Sequence, residues 1–453
     1  QADIKVNDII ELNGSFFLGG TIITGNNASS YLLKLSKDGK LIKEVLLDST
    51  SSITRLASDG NELVLFRRVY LPDNGRSKIV YTRMDSSFNV LYEKSIMFPE
   101  GRYPIYLDIY KTQDSKFFVS GSSEITSTPP PNSGAFLISF DQLGDSIDAT
   151  YLNPSISNLS RCYGSTEVSN MILLFSSYLP GTNAFGTIRT LDENLAILDT
   201  FEIKNQLYDY YSPKVIQDSM VLILSRKHES DFVFVSVISP EGDVVRSVKI
   251  GNTSGLNFPA FQNSISLSQN SYYFVTNSDF ALSSPFFGAG RPSFVLVGKL
   301  NENLDTTWTR TFGGKYYYFA YTITSASNGG CIVAGNVNDT INHHNSRNIF
   351  IKQFDSLGEC TSTVFYTPQQ KKLKIYPNPC QEYFYIEPDD ASDRIEEVKI
   401  VDIHGRLMMN IQVNTMPTQV NVSQLANGSY IAHIRLNSGR SITRKIIHVS
   451  PPE

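Results

Sequence analysis

One short turn is written seven times along this chain, and it constrains the fold more than any other feature. Its first copy, Lys34-Leu35-Ser36-Lys37-Asp38-Gly39-Lys40-Leu41, leaves an alternating apolar run, turns on a small polar residue with a glycine or asparagine, and enters a second alternating run. Further copies begin at Asp85, Asp141, Asp192, Ser239, Asn301 and Asp355. Successive spacings are 49, 56, 51, 47, 62 and 54 residues, so the mean period is (355 − 36)/6, about 53. That period belongs to stacked units and propeller blades.

Inside the first period, the apolar stretches 9–12, 16–23, 31–35 and 41–47 predict four short strands and no helix. Second strands recur at 62–69, 116–123, 171–178, 220–227, 272–279 and 331–338, with Gly20, Gly121 and Gly335 at matching places. A single four-stranded sheet cannot cover both of its faces, and radial stacking leaves only short, protected edges. The expected fold is therefore all-β, a seven-bladed propeller over residues 1–366, weighed against six or eight blades or two packed sandwiches. Two closures stay open: residues 2–6 lend a strand to the last blade, or that blade is complete with residues 361–366.

Composition agrees with sheets, since aromatics are 11% with 24 Tyr and 27 Phe. The net charge of 39 − 44 = −5 argues against a nucleic-acid surface. No uninterrupted apolar run approaches 18 residues, so no membrane-spanning helix is expected. Of the four cysteines, Cys331 reads as a small buried hydrophobe, and a Cys360 to Cys380 disulfide is one pairing among those open to Cys162, Cys331, Cys360 and Cys380. The start at Gln1 fits a cleaved export signal, as it also fits a trimmed N-terminus.

In a four-stranded propeller, the second-to-third loops share a face with the blade-to-blade links. The repeated turn lies on the other face. Length varies on the first of these faces, at residues 70–77, 124–134, 280–292 and 338–348, and long loops on a rigid scaffold carry binding. Aromatics gather there. Tyr103, Tyr208, Tyr210, Tyr317 and Phe286 are the candidate ligand residues, with Tyr106, Tyr211, Tyr316, Tyr318 and Phe287 beside them. A glycan or peptide is the ligand class such rings suit, although packing between blades accounts for them equally. The single Trp308 weakens the carbohydrate case.

No nucleophile elbow, phosphate loop, zinc-protease motif or dinucleotide fingerprint appears. No cofactor and no metal are expected: His343-His344 lacks a third ligand, and Asp389, Asp390 and Asp393 lack the frame of a calcium loop. Asp305-Thr306-Thr307-Trp308 only faintly resembles a sialidase aspartate box and reads as a hairpin turn. Triplets such as Asp145-Ser146-Ile147, Asp305-Thr306-Thr307 and Asp355-Ser356-Leu357 resemble O-glycosylation acceptors of Bacteroidetes-type bacteria. Catalytic carboxylates from separate blades would leave no linear signature.

After Tyr366 the repeat stops, and residues 367–372 read as a polar linker. Alternating stretches at 373–376, 383–387, 397–402, 406–412, 419–422, 430–436 and 441–449 predict a small immunoglobulin-like β-sandwich over residues 373–453. The prolines around Asn378 stiffen its opening. Gly405 and Gly428 suit turns, flanked in the second case by Leu425 and Tyr430 as buried anchors.

Four segments carry a resemblance: Tyr376-Pro377-Asn378-Pro379, Val401-Asp402-Ile403-His404-Gly405-Arg406, Val422-Ser423-Gln424-Leu425-Ala426-Asn427-Gly428-Ser429-Tyr430, and Lys445-Ile446-Ile447. In this order and spacing they resemble the type A C-terminal sorting domain of the type IX secretion system. The resemblance implies that Pro377, Asn378, Pro379, Gly405, Leu425, Gly428, Tyr430 and Lys445 belong to a sorting signal. It also implies reading by the outer-membrane translocon and its shuttle, with a surface sortase as a further partner. The extension 450–453 departs from the usual Lys-led ending. The reading is thus an exported, cell-surface or secreted binding module that is not an enzyme, the alternative being a glycosidase or lyase with carboxylates drawn from several blades.

Overall fold

The computed structural model describes residues 3–24, 27–49, 51–71, 76–99, 102–112, 114–125, 132–152, 159–179, 185–204, 207–208, 213–227, 230–251, 257–279, 293–338, 347–366, 373–388, 394–402, 406–413, 418–436 and 441–449. Contacts divide the chain into two units, one made of residues 1–30, 34–40 and 49–367, the other of residues 31–33, 41–48 and 368–453.

The described residues of 3–366 form seven antiparallel sheets that follow one another in chain order. The first contains Asp3–Leu12, Ser15–Thr24, Asn27–Leu35 and Leu41–Ser49, paired in that order. The second, third, fourth and seventh repeat this four-stranded plan. In the fifth and sixth the first strand is broken into two short pieces, Leu207–Tyr208 with Lys214–Val215 and Phe258–Pro259 with Ile265–Ser268. First strands of successive sheets meet each other, and the first strand of sheet seven, Tyr317–Ser325, meets that of sheet one. This is the arrangement of a β-propeller. Sheet seven is complete with Cys360–Tyr366, and residues 3–6 extend the first strand of sheet one, so the ring closes without exchanging a strand.

The seven turns share one hydrogen-bond pattern. In each, the N–H of the first residue donates to the carbonyl of the fifth, and the N–H of the fourth donates back to the carbonyl of the first, as in Asp85 to Asn89 (3.0 Å) and Phe88 to Asp85 (3.0 Å). The first side chain then stiffens the loop: Asp85 Oδ1 accepts from the N–H groups of Ser87 and Asn89 at 2.8 and 2.9 Å, and Asp141, Asp192, Asn301 and Asp355 do the same. This is why Asp, Asn or Ser opens every copy.

Such a turn forces its fourth residue into the left-handed region. Gly39, Phe88, Gly144, Leu195, Gly242, Leu304 and Gly358 all have φ between +60° and +87°. Side chains at this place cost about 1–2 kcal/mol of strain. Three are nevertheless present, because Phe88, Leu195 and Leu304 are buried, and burying such a group returns about 1.5–3 kcal/mol. Phe88 meets Phe17 of sheet one edge to face, with ring centres 5.7 Å apart. Where the preceding sheet already supplies a large ring, the place is glycine: a Cβ on Gly144 would lie 2.7 Å from Tyr81 Cε1, and one on Gly358 2.6 Å from Trp308 Cδ2.

A second device joins the sheets nearer the axis. One position on five of the second strands reaches the neighbouring first strand, in four of them at a β-bulge. Asn336 accepts from Val6 N–H (3.2 Å) and donates to Ile4 O (2.8 Å); Asn277 likewise clamps Ala320, and Ser122 clamps Cys162. In sheet three that place is Pro104, which has no N–H, and Arg68 donates to its carbonyl at 2.7 Å. Arg226 occupies the same position and covers the Phe258 ring at 4.5 Å. The apolar core lies between sheets, for example Phe66 and Tyr81 of sheet two against Phe117, Phe136 and Phe140 of sheet three.

The described C-terminal residues make seven strands in two sheets. Leu373–Tyr376, Tyr383–Pro388 and Thr418–Asn421 form one, and Ile395–Asp402, Leu407–Gln412, Gly428–Leu436 and Ser441–His448 form the other. Both contribute to one buried cluster that includes Phe384, Ile386, Val398, Ala432 and Ile446, which makes this a β-sandwich. All four cysteines carry free thiols, so of the pairings left open none is formed.

Two glycines test the seam. Gly60 also has a positive φ, but nothing lies within 4 Å of its added Cβ. Gly60→Ala should cost about 1 kcal/mol, the left-handed strain alone, whereas Gly144→Ala should cost about 2–4 kcal/mol because the Tyr81 ring must also move. Urea unfolding measures both. Equal losses would show that the seam yields freely.

Candidate functional site

Charged residues inside the otherwise apolar first strands build the most unusual feature of the described residues. Asp8, Arg55 and Asp108 sit on the first strands of sheets one, two and three, and each is at most 4% exposed. Arg55 Nη2 donates to Asp108 Oδ1 at 2.6 Å, Arg55 Nε lies 3.6 Å from Asp8 Oδ2, and Arg55 Nη1 donates to Gln262 O of sheet six at 2.7 Å. Asp8 accepts further bonds from the N–H groups of Ile9 and Leu56 and from Thr322 Oγ1 of sheet seven, at 3.0, 3.1 and 3.1 Å. Bulges at Asn7 and Thr54 precede Asp8 and Arg55 and re-aim them. Gly164 of sheet four keeps the place open, since a Cβ there would lie 2.5 Å from Asp108 Oδ2.

Electrostatics follow from burial. Desolvation pushes the Asp108 carboxyl above its usual range, against Arg55, which pulls it down. Half-buried Lys214 of sheet five balances the group: burial lowers its ammonium, and Asp108 opposes that. Two carboxylates, one guanidinium and one ammonium make a neutral set that ties sheets one, two, three, six and seven. A glycosidase pair needs its carboxyls free on either side of a sugar, about 5–9.5 Å apart. Here the guanidinium occupies the space between them, so the set acts as a fastener.

The expected aromatic face is only partly described. Tyr103 is half-buried, with its ring centre 6.3 Å from that of Tyr70, which is 45% exposed. Tyr210 and Phe286 lie outside the described residues, as do Tyr211, Phe287, His343, His344 and residues 389–393; of Tyr208 only the backbone is described. The side chain of Tyr317 is 3% exposed. Among the described residues no group of three or more His, Cys, Asp or Glu gathers to hold a metal.

The motif residues of the sandwich do meet. Asn378 donates from Nδ2 to Lys445 O at 2.9 Å and accepts from Ile447 N–H at 2.8 Å, so the first segment is laced to the last strand. Cys380 and His448 extend that contact as a parallel bridge. Pro377 and Pro379 bracket Asn378 in cis peptides. Leu425 is buried, and Tyr430 is buried with its hydroxyl donating to Ala426 O at 2.7 Å. Asp402 closes the second segment as the propeller turns are closed, accepting from Arg406 N–H at 3.0 Å; Gly405 lies outside the described residues. Gly428 is corrected. It begins a strand, its φ is not left-handed, and an added Cβ would meet only Tyr430 at 3.9 Å. Lys445 is exposed.

The axial cluster escaped the sequence reading, although its signal was present: a single charge inside each of VNDII, SSITRLAS and YPIYLDIY is costly unless it is partnered.

Arg55 provides a pH test. Because the Asp108 carboxyl is raised in the folded chain, its contribution to stability is fully present below the unfolded pKa and falls as pH rises through the folded one. Arg55→Met should cost about 3–5 kcal/mol by leaving buried carboxylates unpaired, with a loss that grows from pH 4 to 7 and shrinks when Asp108→Asn is added. A pH-independent loss would refute the charge pairing.

Comparison with known proteins places residues 374–449 in the family described as secretion system C-terminal sorting domain. Such domains mark proteins exported by the type IX system to the cell surface or outside, and this chain is a cargo of that machinery. Among the described residues no helix is long and apolar enough to cross a membrane. No curated protein matches the chain. Among solved structures, it is similar to the β-propeller domain of the trilobed protease from Pyrococcus furiosus, at 11% identity over 77% of this chain and 93% of that one, TM-score 0.45. Acylaminoacyl peptidase from Pyrococcus horikoshii is similar at 10% identity over 86% of this chain and 58% of its own, TM-score 0.46. The Bombyx mori GH32 beta-fructofuranosidase follows at 11% identity, over 80% and 85%, TM-score 0.34.

Proposed function

We propose that this type IX cargo is a surface-displayed binding or adhesion module: a seven-bladed propeller of residues 1–366, a linker of residues 367–372 and a sorting domain of residues 373–453. The observation that carries the non-enzymatic reading is the axial pair Asp8 and Asp108, already neutralised by Arg55. The long-loop face is the ligand face, with Tyr70 and Tyr103 as its described aromatic pair. Flat rings with polar edges suit a glycan or a peptide. The translocon, its shuttle and a surface sortase read the sandwich, where Asn378 joins the first and last motif segments.

Removing residues 372–453 should leave the body in the periplasm, as fractionation and surface labelling would report; undiminished display would sink the sorting role. Glycan and peptide arrays test the body. The double variant Tyr70→Ala, Tyr103→Ala should lose capture by about tenfold or more, with a melting temperature within about 2–4 °C of the parent. Turnover of any glycan by the intact chain would replace this reading with the carbohydrate-active enzyme.

A further inference from the structure

The larger sheet of the sandwich sets Leu407–Gln412, Ile395–Asp402, Gly428–Leu436 and Ser441–His448 side by side. One of its faces packs on the core through Val398, Ile400, Ala432, Ile434 and Ile446. The residues between these point the other way, because side chains alternate along a strand. Pairing register sorts that outer face into rows, and the rows differ in kind.

The row of Gln412, Glu397 and Arg435 is held by its own contacts. Glu397 accepts from Gln412 Nε2 at 3.2 Å and pairs with Arg435 Nη1 at 3.5 Å, and Lys399 lies 3.3 Å from it. The next row, Asn410, Lys399 and His433, is polar as well. The third row is apolar: Leu407 stands opposite Val401, Val401 opposite Ile431, and Ile431 opposite Lys445. The register shifts between Ile400 and Val401, which leaves Met408 bulged beside Leu407. Leu407 and Met408 are 57% and 44% exposed, Val401 and Ile431 are half-buried, and Lys445 is exposed.

The sorting-motif segments converge on this row. Val401 opens the second segment, Ile431 follows Tyr430 at the end of the third, and Lys445 opens the fourth. The first segment reaches the same strand, since Asn378 holds the backbone of Lys445 and Ile447. The core does not require this alignment, because it uses the alternate residues of each strand. A contiguous apolar row left in water adds little to stability, and it gains only when a partner covers it. At about 14 Å, three strand spacings of about 4.8 Å, its length suits one strand or loop of another protein. Lys445 at its end suits a carboxylate on that protein. The chain is a cargo of the type IX machinery, so a protein that must meet this module exists.

We propose that the row of Leu407, Val401, Ile431 and Lys445 is the surface on which a protein of the type IX machinery docks, through an apolar strip with a carboxylate beside it. The inference rests on the reading that the sandwich is what the machinery recognises, and it narrows that reading to one face.

Surface display of the full chain in a host with a working type IX system tests it, by labelling of intact cells and by fractionation. Leu407→Asn combined with Ile431→Thr should lower the displayed fraction about tenfold, since a few apolar contacts dominate an interface. Lys445→Glu should lower it as well, by setting like charges together. His433→Gln, on the polar row, should leave display unchanged. Leu407→Asn alone keeps the test sharp if the double variant melts below the parent. If the chain lacking residues 372–453 is retained while the row variants are displayed like the parent, the docking row is overturned and the sorting role stands. Display of that truncated chain overturns both. A parental dimer dispersed by Leu407→Asn in sedimentation would assign the row to a second copy. Flotation of the parent with phosphatidylethanolamine and phosphatidylglycerol vesicles, lost in Leu407→Asn, would assign it to a lipid surface; either result overturns the proposal.

Discussion

Each seam in the ring depends on the volume carried by a residue that the turn holds in the left-handed conformation. The chain cannot choose that residue from the turn alone. Backbone strain favours glycine at the fourth position, while the gap against the preceding sheet favours whatever fills it. Burial outweighs strain where the gap is empty, as at Leu195, Leu304 and Phe88. Where Tyr81 or Trp308 already fills the gap, only glycine fits. One geometric rule, applied seven times, thus yields two opposite residue choices. It also ties every sheet to the one before it.

Nearer the axis the same problem is met with polar groups. First strands crowd together there, and their bulges leave backbone groups that need partners. Asn336, Asn277, Ser122 and Arg68 provide them from the adjoining second strand. Arg55 provides the rest by holding Asp8 and Asp108 together and reaching across to Gln262. A buried ionic set of this kind contributes little net stability compared with apolar packing, yet removing one member is costly. It holds first strands of three sheets together through Asp8, Arg55 and Asp108.

The sandwich works on a different principle. Its motif segments lie about 70 residues apart in the chain, yet Asn378 binds the backbone at Lys445 and Ile447 on both its donor and acceptor sides. The side chain of Tyr430 closes the loop that Leu425 anchors. The motif segments are brought together only when the module is folded.

Period, strand order and turn chemistry were legible in the sequence because they are local: a small polar residue followed by a glycine or a buried apolar residue has one inexpensive backbone solution, and alternation sets which side of a strand is buried. The sorting motif was legible because its segments recur in a fixed order and spacing. The burial of Tyr317 was not legible, because a tyrosine on a sheet suits the core and the surface equally well, and only its neighbours decide. Gly428 was misjudged because a glycine beside a turn need not be the residue that turns. The ring closure and the charged axis belong to the tertiary structure alone. Each depends on residues from different sheets meeting, such as Asp8 with Thr322 across 314 positions. No local pattern encodes which residue will stand opposite another when seven sheets close into a circle.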